Sequence, residues 1–289
     1  MPLPPDLPVI DHHCHLSPSG EGVRAAARFR AAGGTHLFLA TQNYDPHPPR
    51  TLEDYRRQFE TTERLAQRVR AETGVIAYVV IAPYPVDLVD GVAALGRQRA
   101  LELHQEALDL AGAWVREKRA VALGEVGWPH FPVPEEVSEA AVEVFRHALA
   151  VARESDCPAV VHSADLDAEG YRRLAAEADQ ARLPRHRVVK HYARSRFDPA
   201  AMSGIVPSYV ARRELVREVT ADPGPWFLET DFLDDPRRPG AVLDLATVPR
   251  RALAIAEATG GSERLWVPFV ESVERVYGWR PAPDPARGP

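Results

Sequence analysis

The sequence predicts a single-domain α/β fold, a (β/α)8 TIM barrel, and three observations carry that prediction. Eight short apolar runs bounded by turn residues recur along the chain, amphipathic stretches alternate with them, and no long break in composition interrupts the order. A closed barrel of this type commonly uses roughly 250 residues as one unit. The 289 residues are therefore read as one domain over 1–279, followed by a flexible tail over 280–289.

The first strand is expected over Pro8–Leu16 and the second over Thr35–Gln42, each nearly continuous in apolar residues, as strands buried on both faces should be. The proline-rich stretch NYDPHPPR then reads as a loop, and LEDYRRQFETTERLAQRVRAETG as a helix. The third strand, Gly74–Pro83, precedes the helical stretch GVAALGRQRALELHQEALDLAGAWVREK; the fourth, Ala120–Gly127, precedes PEEVSEAAVEVFRHALAVARESD. Four more follow, over Pro158–Ala164, Arg187–Ala193, Gly204–Val210 and Trp226–Leu233, and each strand is expected to be followed by a segment of helical character. After the eighth, DFLDDPRRPGAVLDLATVPRR reads as a loop from its prolines. Both proline-rich loops follow the C-terminal ends of strands, where a barrel carries its binding surface, so they are candidate walls of a site.

Composition narrows the function classes. With 45% hydrophobic and 26% charged residues the chain can bury a substantial core. A net charge of −6 offers no global attraction for phosphate backbones, which disfavours a non-specific nucleic-acid binder of the basic type. Two cysteines, Cys14 and Cys157, are too few for a disulfide framework, and the start MPLPPDLPVI lacks the features of a signal peptide, so a cytoplasmic location is expected. No run approaches the ~18 apolar residues needed to cross a bilayer, so no membrane partner is expected.

The chemistry lies at the ends of the strands. In VIDHHCHL, alternation along a strand puts Asp11, His13 and His15 on one face, and His12 and Cys14 on the other. Two neutral imidazoles on one face suit a divalent metal ion. Glu125, His162, His191 and Asp231 end four more apolar strands, where a polar side chain is costly to bury unless partners converge on it. In a barrel those ends converge. Four histidines and two carboxylates exceed what one tetrahedral ion needs, so a two-metal site is expected, with Glu125 as the bridge. His13, His15 and Asp231 would complete one position, and His162 with His191 the other. A metal-held water would be the nucleophile and Asp231 its proton acceptor, which makes Asp231 and Glu125 the candidate catalytic residues. Nitrogen-rich coordination favours zinc or manganese; cobalt and nickel are compatible with it, and the carboxylates keep magnesium admissible.

These residues resemble the TatD-related metal-dependent hydrolases, within the amidohydrolase-like barrels. Asp-x-His-x-His at 11–15, Gly-Glu-Val-Gly at 124–127, His162, His191 and Glu-Thr-Asp at 229–231 fall in the family's order, and the stretch ETDFLDDPRRPG looks like an archaeal-type branch. The resemblance implies the barrel fold, one or two divalent ions at those six residues, and hydrolysis, with phosphodiester cleavage as the family's best-known chemistry. His191 is followed by Tyr192 and Ala193 where the nuclease branch usually carries a Cys-Phe pair and a small residue. That departure bears on the substrate and leaves the metal ligands in place.

Around this set, Glu229 and Asp11 share the inward parity of the ligands, and each either supports a ligand histidine or forms an inner-barrel ion pair. Arg237 and Arg238 either bind an anionic substrate group or pair with Asp234 and Asp235. His130 and Trp128, in the loop GWPHFP after Glu125, are candidate substrate contacts. Cys14 is read as a core thiol, and Lys190, turned outward by alternation, as a structural ion pair. The leading expectation is hydrolysis of a phosphodiester or phosphate ester, in a small molecule or a nucleic-acid-derived substrate. The rivals are hydrolysis of an amide, cyclic amide or lactone, and a non-catalytic, metal-stabilised binding module. Arginines near the metals would favour phosphate, whereas a tight apolar pocket would favour a neutral carbonyl substrate.

Overall fold

Each of the eight apolar runs forms a parallel strand in the computed structural model, which describes residues 3–196, 198–235, 242–282 and 284. The strands are β1 (Ile10–His15), β2 (His36–Ala40), β3 (Ile76–Ile81), β4 (Ala122–Gly127), β5 (Ala159–His162), β6 (Val188–Ala193), β7 (Val206–Val210), β8 (Phe227–Glu229) and β9 (Phe232–Leu233). They pair in chain order from β1 to β8, and β9 pairs back onto β1, with Cys14 opposite Phe232 and His15 opposite Leu233. The fold is a (β/α)8 barrel whose eighth strand is delivered in two pieces, β8 and β9. The break has a local cause. Asp231 adopts φ 49°, its N–H donates to the His13 carbonyl (3.0 Å), and the Asp11 carboxylate accepts from the Thr230 N–H (3.1 Å) and hydroxyl (2.7 Å).

The helices are α1 (Val23–Ala31), α2 (Leu52–Thr73), α3 (Asp87–Leu95), α4 (Arg97–Arg116), α5 (Glu135–Glu154), α6 (Ala168–Ala181), α7 (Arg213–Val219), α8 (Thr247–Thr259) and α9 (Ser272–Tyr277). Helix α2 begins at a capping box: the Thr51 hydroxyl accepts from the Asp54 N–H, and the Asp54 carboxylate accepts from the Thr51 N–H. It ends where Gly74 turns left-handed at φ 70°. Asp167 caps α6 by accepting from the Gly170 N–H at 2.8 Å.

Three expectations are corrected. The stretch after β3 is two helices, because Gly96 at φ 78° and ψ 155° lies outside helical space. No helix separates β6 from β7 among the described residues; Asp198 accepts from the Ala200 N–H, and the connection runs on through Pro199 to Gly204 as turns. The region after β8 is not all loop either, since Phe232–Leu233 pairs as β9 and α8 starts at Thr247.

The outward faces of the strands pack beneath the helices. His12 stacks on Phe227 with ring centroids 3.8 Å apart, and its Nε2 lies 2.9 Å from the Tyr277 hydroxyl of α9. Phe38, Phe59, Phe145 and Trp114 are buried, and each such side chain contributes about 2–3 kcal/mol relative to exposure. Within the terminal stretch, the Ala282 carbonyl lies 3.0 Å from His36 Nε2, and Asp284 pairs with Arg30 at 2.6 Å. Among the described residues no helix is long and apolar enough to cross a membrane.

Candidate metal centre

Six side chains from four strands and the break after β8 meet at the C-terminal mouth of the barrel, with Glu125 at their middle. His13 and His15 point inward from β1, Glu125 from β4, His162 ends β5, His191 lies on β6, and Asp231 fills the gap between β8 and β9. Glu125 Oε1 is 2.9 Å from His13 Nε2 and 3.0 Å from His15 Nε2; Oε2 is 2.6 Å from His162 Nδ1 and 3.5 Å from His191 Nε2. Asp231 Oδ1 lies 3.8 and 3.7 Å from the Nε2 atoms of His13 and His15. Ligand atoms of His13, His15, Glu125 and Asp231 all fall within 4.8 Å of one another, as do those of Glu125, His162 and His191. The cluster could hold metal.

Local backbone geometry brings this about. The pairing register shifts at Asp11/Cys14 in β1, at Gly124/Val126 in β4 and at Lys190/Ala193 in β6, so His13, Glu125 and His191 all sit at irregularities that re-aim side chains. The glycines of Gly-Glu-Val-Gly allow close approach. A Cβ on Gly124 would lie 2.8 Å from both Val80 and Val160, and one on Gly127, at φ 134°, would lie 2.1 Å from the His162 carbonyl oxygen. Tyr192, at φ 55°, has its N–H held by Glu229 Oε1 at 2.7 Å, and the same oxygen is 3.4 Å from His191 Nδ1.

The electrostatics call for positive charge. Burial raises the Glu125 pKa, but the charges of His191 and His162 and hydrogen bonds from His13 and His15 outweigh it and hold the carboxyl well below the usual range. Burial lowers His15, yet hydrogen bonds to Asp231 and Glu125 push it up to about 10; burial likewise lowers His191, and Glu125 and Glu229 push it up to about 9. In His13 burial prevails, aided by the charge of His191, and its pKa falls. Asp231, raised by burial, is brought below its ordinary value by the hydrogen bond from His15 and the charges of His191 and His13. Glu125 Oε2 and His191 Nδ1 are buried without a hydrogen-bond partner among the described residues. Imidazoles and carboxylates gathered this way, with an orphaned Glu125 oxygen at their centre, fit a divalent cation.

A cleft of roughly 810 Å³ opens over the cluster. Its wall includes Ser17, Asn43, Tyr84, Asp165 and Arg194 together with Leu233 and Val242, so polar and apolar groups share it. His130 lines it and places Nδ1 2.9 Å from His162 Nε2. Burial and the charge of His162 lower the His130 pKa. Trp128 does not line the cleft, because its ring packs edge-on against Phe145 of α5, 4.8 Å between centroids. Arg237 and Arg238 lie outside the described residues.

Asp11 and Glu229 touch the centre's backbone as much as its side chains. Asp11 accepts from the His13 N–H as well as from Thr230, and burial pushes its carboxyl up to about 8. The Asp234 carboxylate is taken up by the N–H groups of Ser17, Glu21 and Gly22 at 2.7–2.9 Å, which ties the loop after β1 to the end of β9. Cys14 is buried in the core, as expected. Lys190 corrects the reading of an ion pair: it is wholly buried and donates to the carbonyls of Ser163 and His191. Sequence reasoning missed Arg194 and Tyr84 as cleft residues. Arg194 directly follows the sixth strand, and that position was its only signal.

Residues 10–278 match the family model described as TatD related DNase. The uncharacterized protein MJ1127 of Methanocaldococcus jannaschii is 27% identical over 276 residues, covering 94% of this chain and 96% of that protein. Among solved structures, the TatD-like protein AF1765 of Archaeoglobus fulgidus has a TM-score of 0.62 at 17% identity, covering 93% of this chain and 100% of that one. A mutant PTE-like lactonase of Deinococcus radiodurans has a TM-score of 0.61 at 15% identity, covering 96% of this chain and 98% of that one. At these identities the two structures share the fold. A family match running from the start of β1 to just past α9 makes this chain a member of the TatD related DNase family of metal-dependent hydrolases.

Proposed function

We propose that this chain hydrolyses phosphate esters, including phosphodiesters of the kind found in nucleotides, with two divalent ions that Glu125 would hold together with His13, His15 and Asp231 for one and His162 and His191 for the other. The observation that carries this reading is the division of the Glu125 carboxylate, one oxygen toward His13 and His15 and the other toward His162 and His191. Asp231 completes the first half. The nitrogen-rich donor set favours zinc or manganese. When bound, such ions polarise a phosphoryl oxygen and lower the pKa of a held water toward about 7.

The chain's own residues do the rest. Asp231, whose carboxylate is 19% exposed toward the cleft and held in its ionised form, is placed to take the proton of the attacking water. Glu229 and Asp11 fix the backbone that aims His191 and Asp231. Arg194 on the cleft wall, beside Asp165, offers a guanidinium to an anionic ester, and the family's description as DNases points the same way.

The test measures metal content together with turnover of bis-p-nitrophenyl phosphate by wild type, chelated protein and Asp231→Asn. Metal-dependent cleavage that falls by about 100-fold or more in Asp231→Asn is the expected result. Bound metal with no phosphoester turnover, alongside cleavage of lactones or cyclic amides, would overturn the substrate reading. Failure to bind metal under any loading would overturn the centre itself.

A further inference from the structure

His162 differs from the other three histidines of the cluster in the nitrogen it presents. His13, His15 and His191 turn Nε2 toward Glu125, whereas His162 turns Nδ1. It differs also in what stands behind it. The remaining nitrogen of His15 lies 3.2 Å from the Ala40 carbonyl on β2, and that of His191 lies 3.4 Å from Glu229 on β8, so both are backed by strands of the barrel. Behind His162 stands His130, on the exposed loop between β4 and α5, with Nδ1 2.9 Å from His162 Nε2.

We propose that His130 is a positioning residue for the half of the centre built on His162 and His191. A neutral imidazole carries one N–H. If His130 Nδ1 accepts that hydrogen from His162 Nε2, the lone pair of His162 is fixed on Nδ1, the atom that faces Glu125 Oε2 at 2.6 Å. Tyr84 meets the same ring edge-on at 5.2 Å. Without His130 the ring is free to carry its hydrogen on either nitrogen, or to turn over. The two halves of the centre are therefore unequal. On the His13 side His15 is backed by the Ala40 carbonyl of β2, whereas on the other side His162 depends on a surface loop through His130. The ion on the His162 side is the one that leaves first under mild chelation.

This inference rests on the binuclear reading, and its test separates the two. Zinc is titrated calorimetrically into metal-free wild type, His130→Ala and His130→Asn, with thermal unfolding of each as a check on folding. Wild type is expected to bind two ions. His130→Ala keeps the tighter ion unchanged and binds the other about 10- to 100-fold more weakly. In His130→Asn the amide oxygen replaces Nδ1 as acceptor and recovers most of that loss. Nitrogen NMR of the zinc-loaded wild type should find the His162 hydrogen on Nε2 and the metal shift on Nδ1. One ion in wild type would overturn the binuclear reading and this proposal with it. Two ions in wild type with undiminished binding in His130→Ala, or His130→Asn as weak as His130→Ala, would remove the role of His130 and leave the binuclear reading standing.

Discussion

Glu125 is the residue on which the centre turns, because it lies within 3.5 Å of all four histidines while being 4% exposed. Its negative charge lets four imidazoles share one buried space, and with the charge removed the same rings would be mutually repulsive whenever more than one is protonated. Glu125→Gln conserves the volume and deletes the charge. The expected outcome is a loss of bound metal and a fall in turnover of about 100-fold or more, equivalent to about 3 kcal/mol of transition-state stabilisation, with the circular dichroism of the fold retained. A Gln variant that still binds two ions and turns over normally would count against the bridging role.

At the level of elements, the site depends on strands that approach more closely than side chains allow. Gly127 sits where a Cβ would lie 2.1 Å from the His162 carbonyl, at a φ of 134° that side-chain-bearing residues rarely adopt. Gly127→Ala should therefore destabilise the fold by at least about 2 kcal/mol and weaken metal binding at His162, because β4 and β5 must separate to admit the methyl. Gly74→Ala is the control. Gly74 also has positive φ, at 70°, but an added Cβ there meets nothing within 4 Å, so the cost should be about 1 kcal/mol with metal binding unchanged. Urea unfolding and metal titration of both variants read the difference, and equal metal affinities in the two would contradict the close-approach argument.

For the whole molecule, the cluster joins four strands and the eighth-strand break, so under the proposed function metal occupancy and global stability should be linked. At ion concentrations near 100 times Kd the linkage is about 2.7 kcal/mol, and chelation should lower Tm by about 5–10 °C for a chain of this size. A Tm indifferent to chelator and to added zinc would show that the cluster is not a folding-linked metal site. A second global property comes from Asp87, buried at the start of α3. Its Oδ1 accepts from Asn43 Nδ2 at 2.6 Å, its Oδ2 has no partner among the described residues, and burial pushes its carboxyl from 3.8 up to about 7. The folded protein holds that proton more tightly than the unfolded chain, so this group lowers stability as pH rises from about 4 to about 7, by at most about 4 kcal/mol, and not further above that. Asp87→Asn should be more stable than wild type at pH 8, with the gap closing toward pH 5. Denaturant unfolding at the two values measures it, and parallel curves would refute the assignment.

The amino-acid sequence by itself determined the barrel and the identity of the clustered residues. Eight apolar runs can bury both faces only in a parallel sheet clothed by helices, and a histidine or carboxylate ending such a run needs partners that a barrel mouth supplies. Period-two alternation sorted His13 and His15 from His12 and Cys14, and the structure finds His12 against Phe227 and Tyr277 on the far side of β1. The tertiary structure alone decided the rest. Register shifts at Glu125 and His191, and the left-handed turns at Tyr192 and Asp231, break the alternation on which a strand is read, because partners remote in sequence hold the turns: the Glu229 carboxylate at Tyr192 and the His13 carbonyl at Asp231. Trp128 turned to Phe145, Lys190 to two carbonyls and Asp234 to three main-chain N–H groups for the same reason. Sequence spacing gives which side chains can reach a place, and only the packed molecule fixes which of the available partners each one takes.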